Sequence, residues 1–559
     1  MGRRLSIVAA VAAVAAVCCS VLAASAGAKV RALSASQVSS IKWGPCTPGS
    51  DLDELGAQCG TLSVPLDYNH PSGTHILLAV SKLEHTSDAA HYQGAILTNP
   101  GGPGGSGLDL SAILAFVLDQ EGYSAAAADY DWIGFDPRGV GASQPSLTCD
   151  KDYFAGPRPN YTPSTRQLLS FWENTSDRYG RDCATTSAAQ YGLLQNDTTI
   201  DTAKDMDSIR QALGQRQISY YGFSYGTYLG QVYSTLFPQN VRREILDSNV
   251  DPRGVWYQDN FSQDVAFQRN IEIWFGWLAK YNSVYNLGST EAQVARTFNK
   301  AQNALAASPA AGEVGPDEWA DIFLEAGYYE QTWEDLGSLF SEWINNPGPS
   351  SAADLAAEFE STDGVGDDNE YAGYLAVQCT DTAWPNSWSK IVRDNWIVNA
   401  IAPFETWGNA WFNGPCTNWP GRPDRPVQIN GSRVNSALLI DETLDAATPF
   451  PGSLEVRKLF PRASLIAEPG GTSHADSLFG DTCVDGSIAD YLTTGALPAR
   501  QRFAPWDKTC APLPQPDPTQ QVSADAARAA KAGAGRAAQA AQFTRATGGR
   551  LRLAAVLSR

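Results

Sequence analysis

A serine stands between two glycines in the stretch "ISYYGFSYGTYLGQVYSTLFP", residues 218–238. The residues before it form a β-prone run of strand length, and the apolar residues after it recur at helical spacing as far as Pro238. A sharp strand-to-helix turn therefore falls at residues 222–226, where the flanking glycines let strand and helix approach closely. This G-x-S-x-G pattern exposes a serine hydroxyl at the edge of a sheet and predicts Ser224 as a nucleophile. The alternative is a chance pattern in a chain with 49 glycines.

Strand and helix signals alternate before this turn. Strand-like runs occupy residues 61–66, 75–83, 95–98 and 130–135, with helical segments between later ones. After about residue 252 Trp- and Tyr-rich helical stretches dominate, and strand character returns at residues 436–440. The pattern predicts one α/β domain with a mostly parallel sheet covered on both faces, interrupted by a helical insertion.

The chain ends differ in composition from the rest. Arg3 and Arg4 precede an Ala/Val-rich run that closes on small residues, which predicts a secretion signal over residues 1–28, with an uncleaved anchor as the alternative. The predicted division is a signal peptide (1–28), a catalytic domain in two parts (29–252 and 431–511), a helical cap between them (253–430) and a flexible Pro- then Ala/Arg-rich tail (512–559).

Ten cysteines are present, and two of them fall within the predicted signal. The remaining eight form an even set, as expected in an oxidising compartment. Proximity along the chain suggests the pairs Cys46–Cys59, Cys149–Cys183, Cys379–Cys416 and Cys483–Cys510, although eight cysteines allow 105 pairings. A zinc site would compete for these cysteines, but there is no C-x-x-C and only five histidines occur, so we expect no metal and no cofactor.

The formal net charge of −20 argues against nucleic acid as a partner, because a phosphate polymer would be repelled. No other stretch reaches membrane-spanning length, so no membrane association is expected after signal cleavage.

A serine nucleophile requires a base and an acid that orients the base. In hydrolases with this turn the chain order is serine, then acid, then histidine. His474, in "EPGGTSHADS", is the only histidine after Ser224 and is therefore the predicted base, a solvated loop histidine being the alternative. The acid is expected after the 436–440 strand, where Asp445 is preferred over Asp441, with Glu442 further behind.

The developing oxyanion needs two donors. The N–H of Tyr225, directly after the serine, supplies the first. The glycine-rich "NPGGPGGSG", residues 99–107, suits the second because unsubstituted backbone can approach a substrate, and Gly102 is the preferred donor. A phosphate-binding interpretation fails, since the loop lacks the Gly-Lys-Ser/Thr of a P-loop and the G-x-G-x-x-G spacing.

Six segments in this order resemble a known family: "NPGGPGGSG", "GFDPRGVGAS", "GFSYGTYLGQVY", "CTDTAWP", "LDAATPFPG" and "GGTSH". Together they are similar to the secreted bacterial tripeptidyl aminopeptidases, in the proline-iminopeptidase-like branch of the α/β hydrolases, over about residues 43–510. The resemblance implies the α/β-hydrolase fold and assigns nucleophile, acid and base to Ser224, Asp445 and His474. The chain departs from the family in "DETLD", which adds Asp441 as a nearby carboxylate, and in its alanine-rich tail.

The resemblance also implies an extracellular enzyme that releases tripeptides from peptides with a free N-terminus. An anion should hold the substrate's ammonium, and the candidates are Asp381, Glu325 and Glu330, with Asp381 preferred because aromatic-rich runs flank it. A secreted carboxylesterase with the same triad is the alternative, and a catalytically inactive binding protein is a third hypothesis. The sequence makes no prediction of oligomeric state or side-chain preference.

Overall fold

A computed structural model describes residues 39–362 and 366–519 of the chain. A single sheet runs through it. Its ten strands are β1 (Lys42–Pro45), β2 (Gln58–Pro65), β3 (His75–Leu83), β4 (Gly94–Asn99), β5 (Tyr130–Phe135), β6 (Ile218–Phe223), β7 (Val241–Asp247), β8 (Ala437–Glu442), β9 (Ala463–Glu468) and β10 (Lys508–Thr509). The predicted strand runs coincide with β2 to β6 and β8, with ends shifted by up to three residues.

The strands lie in the order β1-β2-β3-β5-β4-β6-β7-β8-β9-β10. β1, β2 and β3 pair antiparallel, and β3 also pairs antiparallel with β5. All remaining neighbours are parallel. The sheet is therefore mostly parallel, as predicted, and the carboxyl ends of β4, β6, β7, β8 and β9 meet at one edge.

Eighteen α-helices accompany the sheet within residues 39–362 and 366–519. They are α1 (Asp51–Glu54), α2 (Leu110–Gln120), α3 (Ser124–Ala128), α4 (Arg166–Thr185), α5 (Ser187–Tyr191), α6 (Thr199–Ala212), α7 (Tyr225–Leu236), α8 (Tyr257–Lys280), α9 (Asn282–Tyr285), α10 (Glu291–Leu305), α11 (Pro316–Tyr328), α12 (Trp333–Asn345), α13 (Pro349–Thr362), α14 (Asn369–Asp381), α15 (Trp388–Asn399), α16 (Thr406–Phe412), α17 (Pro451–Leu459) and α18 (Thr482–Thr494).

Alternating strand residues cover the two faces of the sheet. Ile96, Trp132, Ile245 and Leu438 belong to one buried cluster together with residues of α2, α3 and α18. Their strand neighbours point the other way, where Gly230 of α7 packs directly against Tyr220 and Leu246. Helices therefore cover both faces of the sheet. Because a central strand is buried on both sides, its sequence is a continuous apolar run.

Helices α8 to α16 lie between β7 and β8, which are neighbours in the sheet. We call residues 257–412 the helical insert. Its own core joins α8, α10, α11, α12 and α13 through aromatic residues, with Trp274, Trp319, Trp333 and Phe340 almost fully buried. The insert falls inside the predicted cap, and the domain boundaries given above remain a proposal.

Four disulfides join Cys46–Cys59, Cys149–Cys183, Cys379–Cys416 and Cys483–Cys510. The pairing suggested by proximity along the chain is therefore confirmed. Each bridge links two cysteines that follow one another along the chain.

The predicted signal lies outside the described residues, as does the predicted tail beyond residue 519. The first residues of that predicted tail contact the insert, because Trp277 Nε1 donates to the carbonyl of Pro516 at 2.9 Å and Gln515 Nε2 lies 3.5 Å from Glu330 Oε1. None of the helices in the described part is both long and apolar enough to cross a membrane.

Candidate active site

Ser224 occupies the turn between β6 and α7. Its backbone adopts φ 54° and ψ −126°, in the left-handed half of the conformational map that side-chain-bearing residues seldom visit. Glycine is required on both sides, because a Cβ on Gly222 would lie 2.5 Å from the Gly226 carbonyl and one on Gly226 would lie 2.7 Å from the Asn99 carbonyl. The elbow predicted from five residues is present, with Ser224 at its apex.

The glycine-rich loop after β4 packs against this elbow. A Cβ on Gly101 would lie 2.8 Å from the Cβ of Ser224 and 3.2 Å from the nitrogen of Tyr225. Tyr225 is the first residue of α7, so its N–H has no acceptor within the helix. Gly102 and Tyr225 line the same cavity as Ser224, which is the arrangement an oxyanion hole requires.

His474 and Asp445 form a buried hydrogen-bonded pair. Nδ1 of His474 lies 2.8 Å from Oδ2 of Asp445, and their exposed fractions are 2% and 0%. Thr448 fixes the carboxylate, since its N–H donates to Oδ1 at 3.0 Å and its hydroxyl to Oδ2 at 2.8 Å. A carboxylate held at Nδ1 selects the tautomer in which Nε2 is the free base.

The end of β7 connects the elbow to the histidine loop. The carbonyl of Asp247 accepts the N–H of Ser224 at 3.1 Å, and its Oδ2 accepts the N–H of Ser477 at 3.1 Å. The next residue, Ser248, accepts the N–H of Ala475 through its hydroxyl at 2.7 Å. Burial raises the pKa of Asp247 to about 6, partly offset by the Ser477 hydrogen bonds. Sequence patterns gave no signal for this anchoring role.

Two residues of the helical insert hold the loops that carry Asp445 and His474. Asn270 of α8 is fully buried, and its Nδ2 lies 3.0 Å from the carbonyl of Leu444 and 3.2 Å from that of Thr472, next to the acid and near the histidine respectively. The carbonyl of Tyr328, at the end of α11, accepts the N–H of His474 at 2.8 Å. The loops of the sheet and the insert are thus joined at the site.

The two rival carboxylates have other partners. Asp441 accepts the hydroxyl of Ser453 at 2.5 Å, and burial, together with the nearby Asp445, raises its pKa well above the usual range. Glu442 accepts the N–H of Ser473. Within the described part of the chain, Asp445 is the one of the three that hydrogen-bonds to His474, so the structure favours it over both rivals.

A cavity opens above Ser224 between the sheet and the insert. Its wall includes residues of the elbow and the glycine loop, residues of the Asp445 loop, and aromatic and acidic side chains of α8, α11, α14 and α16: Gly102, Ser224, Tyr225, Trp256, Asp259, Phe267, Asp321, Tyr328, Tyr374, Glu405, Phe412 and Thr448. Two acids of the wall are already paired, Asp251 with Arg253 and Asp321 with Arg158.

None of the three carboxylates proposed for substrate amine binding is part of this wall. Asp381 caps α6, accepting the N–H of Thr199 at 2.8 Å and its hydroxyl at 2.6 Å, and burial raises its pKa to about 7. Glu330 accepts the hydroxyl of Thr472 at 2.7 Å. Burial and Glu358 raise the pKa of Glu325 to about 7. The aromatic-rich runs beside Asp381 therefore indicated that this residue is buried, but it does not line the cavity.

Asp259, which the sequence analysis did not single out, is a wall residue in the first turn of α8. Its Oδ2 is buried without a hydrogen-bond donor among the described residues. Burial, followed by repulsion from Asp251, raises the pKa of Asp259 to about 8. A cation in the cavity would favour ionisation of this carboxyl.

Comparison with known proteins adds two family matches. Residues 94–335 match the α/β hydrolase fold family, and residues 402–510 match a family described as "TAP-like protein". A tripeptidyl aminopeptidase of Streptomyces coelicolor is 37% identical over 499 residues, covering 88% of this chain and 90% of that protein.

Two mycobacterial proteins are also similar. Serine protease Hip1 of Mycobacterium tuberculosis is 29% identical, over 82% of this chain and 89% of that protein. Carboxylesterase B of the same species is 30% identical, over 84% and 90%.

Proposed function

Because the chain belongs to the tripeptidyl aminopeptidase family of serine hydrolases with the α/β-hydrolase fold, we propose that it releases tripeptides from the free N-termini of peptides and proteins. The observation that carries the proposal is the His474–Asp445 hydrogen bond, because the loop of His474 is bound through Ser477 to Asp247, the strand end that also binds the Ser224 elbow. The family match covers both the sheet and the insert.

In the proposed reaction Ser224 attacks the carbonyl carbon of the third residue while Nε2 of His474 takes the serine proton. Asp445 stabilises the imidazolium through Nδ1. The N–H groups of Tyr225 and Gly102 donate to the oxyanion. Collapse of the intermediate breaks the peptide bond, His474 protonates the leaving amine, and water then hydrolyses the ester on Ser224 in the reverse sequence.

The acyl-enzyme can be tested by trapping. A fluorophosphonate should add once to the wild-type protein, at Ser224, and intact-mass and peptide analysis would locate it. Ser224→Ala should not react and should lose turnover, leaving at most the roughly 10³–10⁴-fold acceleration over water that binding and oxyanion contacts supply. Labelling at another serine would refute the assignment.

We assign the substrate ammonium to Asp259. A free N-terminus carries a positive charge that must lose water on entering the cavity, and Asp259 offers a carboxylate oxygen without a donor on the same wall as Ser224. Binding of the ammonium would favour ionisation of a carboxyl whose pKa burial has raised. Glu405, a further acid of the wall, is the next candidate.

The decisive assay compares a tripeptide chromogen that has a free N-terminus with its acetylated twin. Losing a desolvated charge partner costs about 2–5 kcal/mol, so the free peptide should react at least about 30-fold faster. Asp259→Asn should reduce that ratio without slowing hydrolysis of a small activated ester. Asp354→Asn, an exposed acid of α13, is the matched control and should keep the wild-type ratio.

Carboxylesterase activity is the second candidate, supported by the 30% identity to carboxylesterase B. It uses the same triad and oxyanion hole, so only the substrate panel separates the two. Equal rates on free and acetylated peptides, or rapid ester cleavage without peptide cleavage, would exclude the aminopeptidase. Mass analysis of products from a longer peptide would establish whether three residues leave at a time.

We further propose that the enzyme acts outside the cytoplasm. The four disulfides support this, because such bridges persist in oxidising compartments. Export of a full-length fusion, and its loss when residues 1–28 are removed, would test the proposed signal.

A further inference from the structure

Three acidic side chains meet beneath the histidine loop. Glu442 and Glu468 are the last residues of β8 and β9 and lie directly opposite each other in the sheet, and Asp476 follows His474 by two residues. One carboxylate oxygen from each lies within 4.8 Å of the others. Their exposed fractions are 3%, 1% and 6%. Like charges that face each other across strands repel, so this arrangement requires compensation.

Within the described residues, no positive charge or hydrogen-bond donor offsets the repulsion at Glu468. No N–H or hydroxyl of the described residues donates to either of its carboxylate oxygens, although the side chain is almost wholly buried, and its hydrogen-bond contact is with another carboxyl, that of Asp481. The charged groups that act most strongly on it are the carboxyls of Asp476 and Asp481. Asp481, at the start of α18, also has an Oδ2 without a donor. A buried charge with no donor costs several kcal/mol unless a cation or proton neutralises it.

We propose that Glu442, Glu468 and Asp476 bind a divalent cation, Ca²⁺, with Asp481 at its edge. Two oxygens on one Ca²⁺ lie at most about 5 Å apart, because each Ca–O bond is about 2.3–2.6 Å, and the cluster meets that limit. The three ligand atoms are all oxygens, which argues against zinc, because zinc prefers Cys and His ligands. Mg²⁺ retains several waters in a strict octahedron, so a closed acidic cluster suits it less.

The cation would hold the histidine loop in place. Glu442 also accepts the N–H of Ser473, and a Cβ on Gly471 would collide with the Glu442 carboxylate, so the loop lies directly on this side chain. Asp476 lies in the same loop, two residues after His474. Metal binding would therefore join the ends of β8 and β9 to the loop that carries the base, without contacting substrate. The sequence analysis expected no metal, because it considered only cysteine and histidine ligands.

Metal analysis of the purified full chain tests the proposal directly. After equilibration with about 1 mM Ca²⁺ and removal of excess, the wild type should retain about one Ca²⁺ per chain. Dialysis against a chelator should lower Tm by about 3–5 °C, and Ca²⁺ should restore it where Mg²⁺ at the same concentration does not. Glu468→Gln should lose both the bound Ca²⁺ and the Tm response. Asp490→Asn, an exposed acid on α18, should retain both.

The proposal fails if the wild type retains no Ca²⁺ and its Tm is unchanged by chelator and Ca²⁺. It also fails if Glu468→Gln binds Ca²⁺ as the wild type does, or if Mg²⁺ restores Tm as well as Ca²⁺. Should Glu468→Gln not fold, Asp476→Asn replaces it, and the wild-type measurements stand independently. A cluster that shares protons in place of a cation would give a metal-free wild type.

Discussion

Gly101 and Ser224 approach so closely that a Cβ on Gly101 would lie 2.8 Å from the Cβ of Ser224. Gly101 also has φ +113°, a conformation that residues with a side chain rarely adopt. The glycine loop is therefore held against Ser224, the proposed nucleophile, by a contact that only glycine permits. The position of the proposed oxyanion donors depends on that contact.

We expect Gly101→Ala to lower kcat by about 10²–10³-fold, the usual cost of losing one oxyanion donor, because the added methyl must push the loop away from the elbow. Substrate KM should change less, since the cavity wall formed by the insert is untouched. Steady-state kinetics on a tripeptide chromogen would measure both. Gly276→Ala is the control, because a Cβ there meets nothing within 4 Å; comparable losses in the two variants would contradict the interpretation.

Asp445→Asn should be far more damaging than Asp441→Asn. The amide cannot stabilise a protonated His474, and the corresponding change in another serine hydrolase costs roughly 10⁴-fold in kcat. Asp441 accepts only the Ser453 hydroxyl, and its raised pKa favours the neutral acid, which Asn resembles. Replacement of Asp441 should lower kcat by less than about 10-fold, which corresponds to about 1.4 kcal/mol. The reverse ranking of kcat would transfer the acid role to Asp441.

Glu244, in the middle of β7, should make stability fall as pH rises. Burial raises its pKa from 4.5 to about 8, and its carboxylate accepts the Ser234 hydroxyl at 2.7 Å. The unfolded chain releases the proton near pH 4.5 while the folded protein retains it to about pH 8. The stability that Glu244 contributes is therefore fully present below about pH 4.5 and is lost as the pH rises to about 8.

Glu244→Gln should match the wild type at about pH 5 and exceed it at about pH 8 by roughly 2–5 kcal/mol in the free energy of unfolding. Denaturant titrations at the two pH values would measure this difference. Glu360→Gln, an exposed residue of α13, should show no such divergence. A variant less stable than the wild type at both values would contradict the prediction.

Residues 512–519 should stabilise the insert. Trp277 is 3% exposed, and its Nε1 donates to the carbonyl of Pro516 at 2.9 Å. A chain that ends at residue 511 leaves this donor buried without its acceptor, at a cost of about 1–3 kcal/mol. Its Tm should lie below that of a chain ending at residue 519, measured by calorimetry. Equal Tm values would show that the contact contributes nothing.

The sequence predicted the sheet and its helical interruption because apolar periodicity is strong there. Strands such as His75–Leu83 and Tyr130–Phe135 match the predicted runs residue for residue. β7 was not predicted, since Arg242, Arg243 and Glu244 give it the charge of a surface segment. Contacts with other segments satisfy these polar side chains. The Arg243 guanidinium, for example, donates to the hydroxyl of Tyr130 in β5 at 2.6 Å. Such pairing depends on tertiary contacts that periodicity does not report.

The candidate triad could be predicted because the chain order leaves one histidine after the elbow. The amine-binding acid could not, because a sequence does not show which carboxylates face a cavity. Asp381 is directed at the N-terminus of α6, whereas Asp259 faces the cavity from the first turn of α8. The supporting roles of Asn270 and Asp247 likewise arise from contacts between segments far apart in the chain.

The disulfide pattern has a consequence for synthesis of the chain. Partners are separated by 13, 34, 37 and 27 residues, and no bridge encloses another cysteine. In a polypeptide that emerges N-terminus first, each thiol therefore meets its correct partner before the next cysteine arrives. Oxidation in order of appearance yields the native set without a reshuffling step. β7, by contrast, can pair with its neighbour β8 only after the whole insert has been synthesised, because the insert lies between them in the chain.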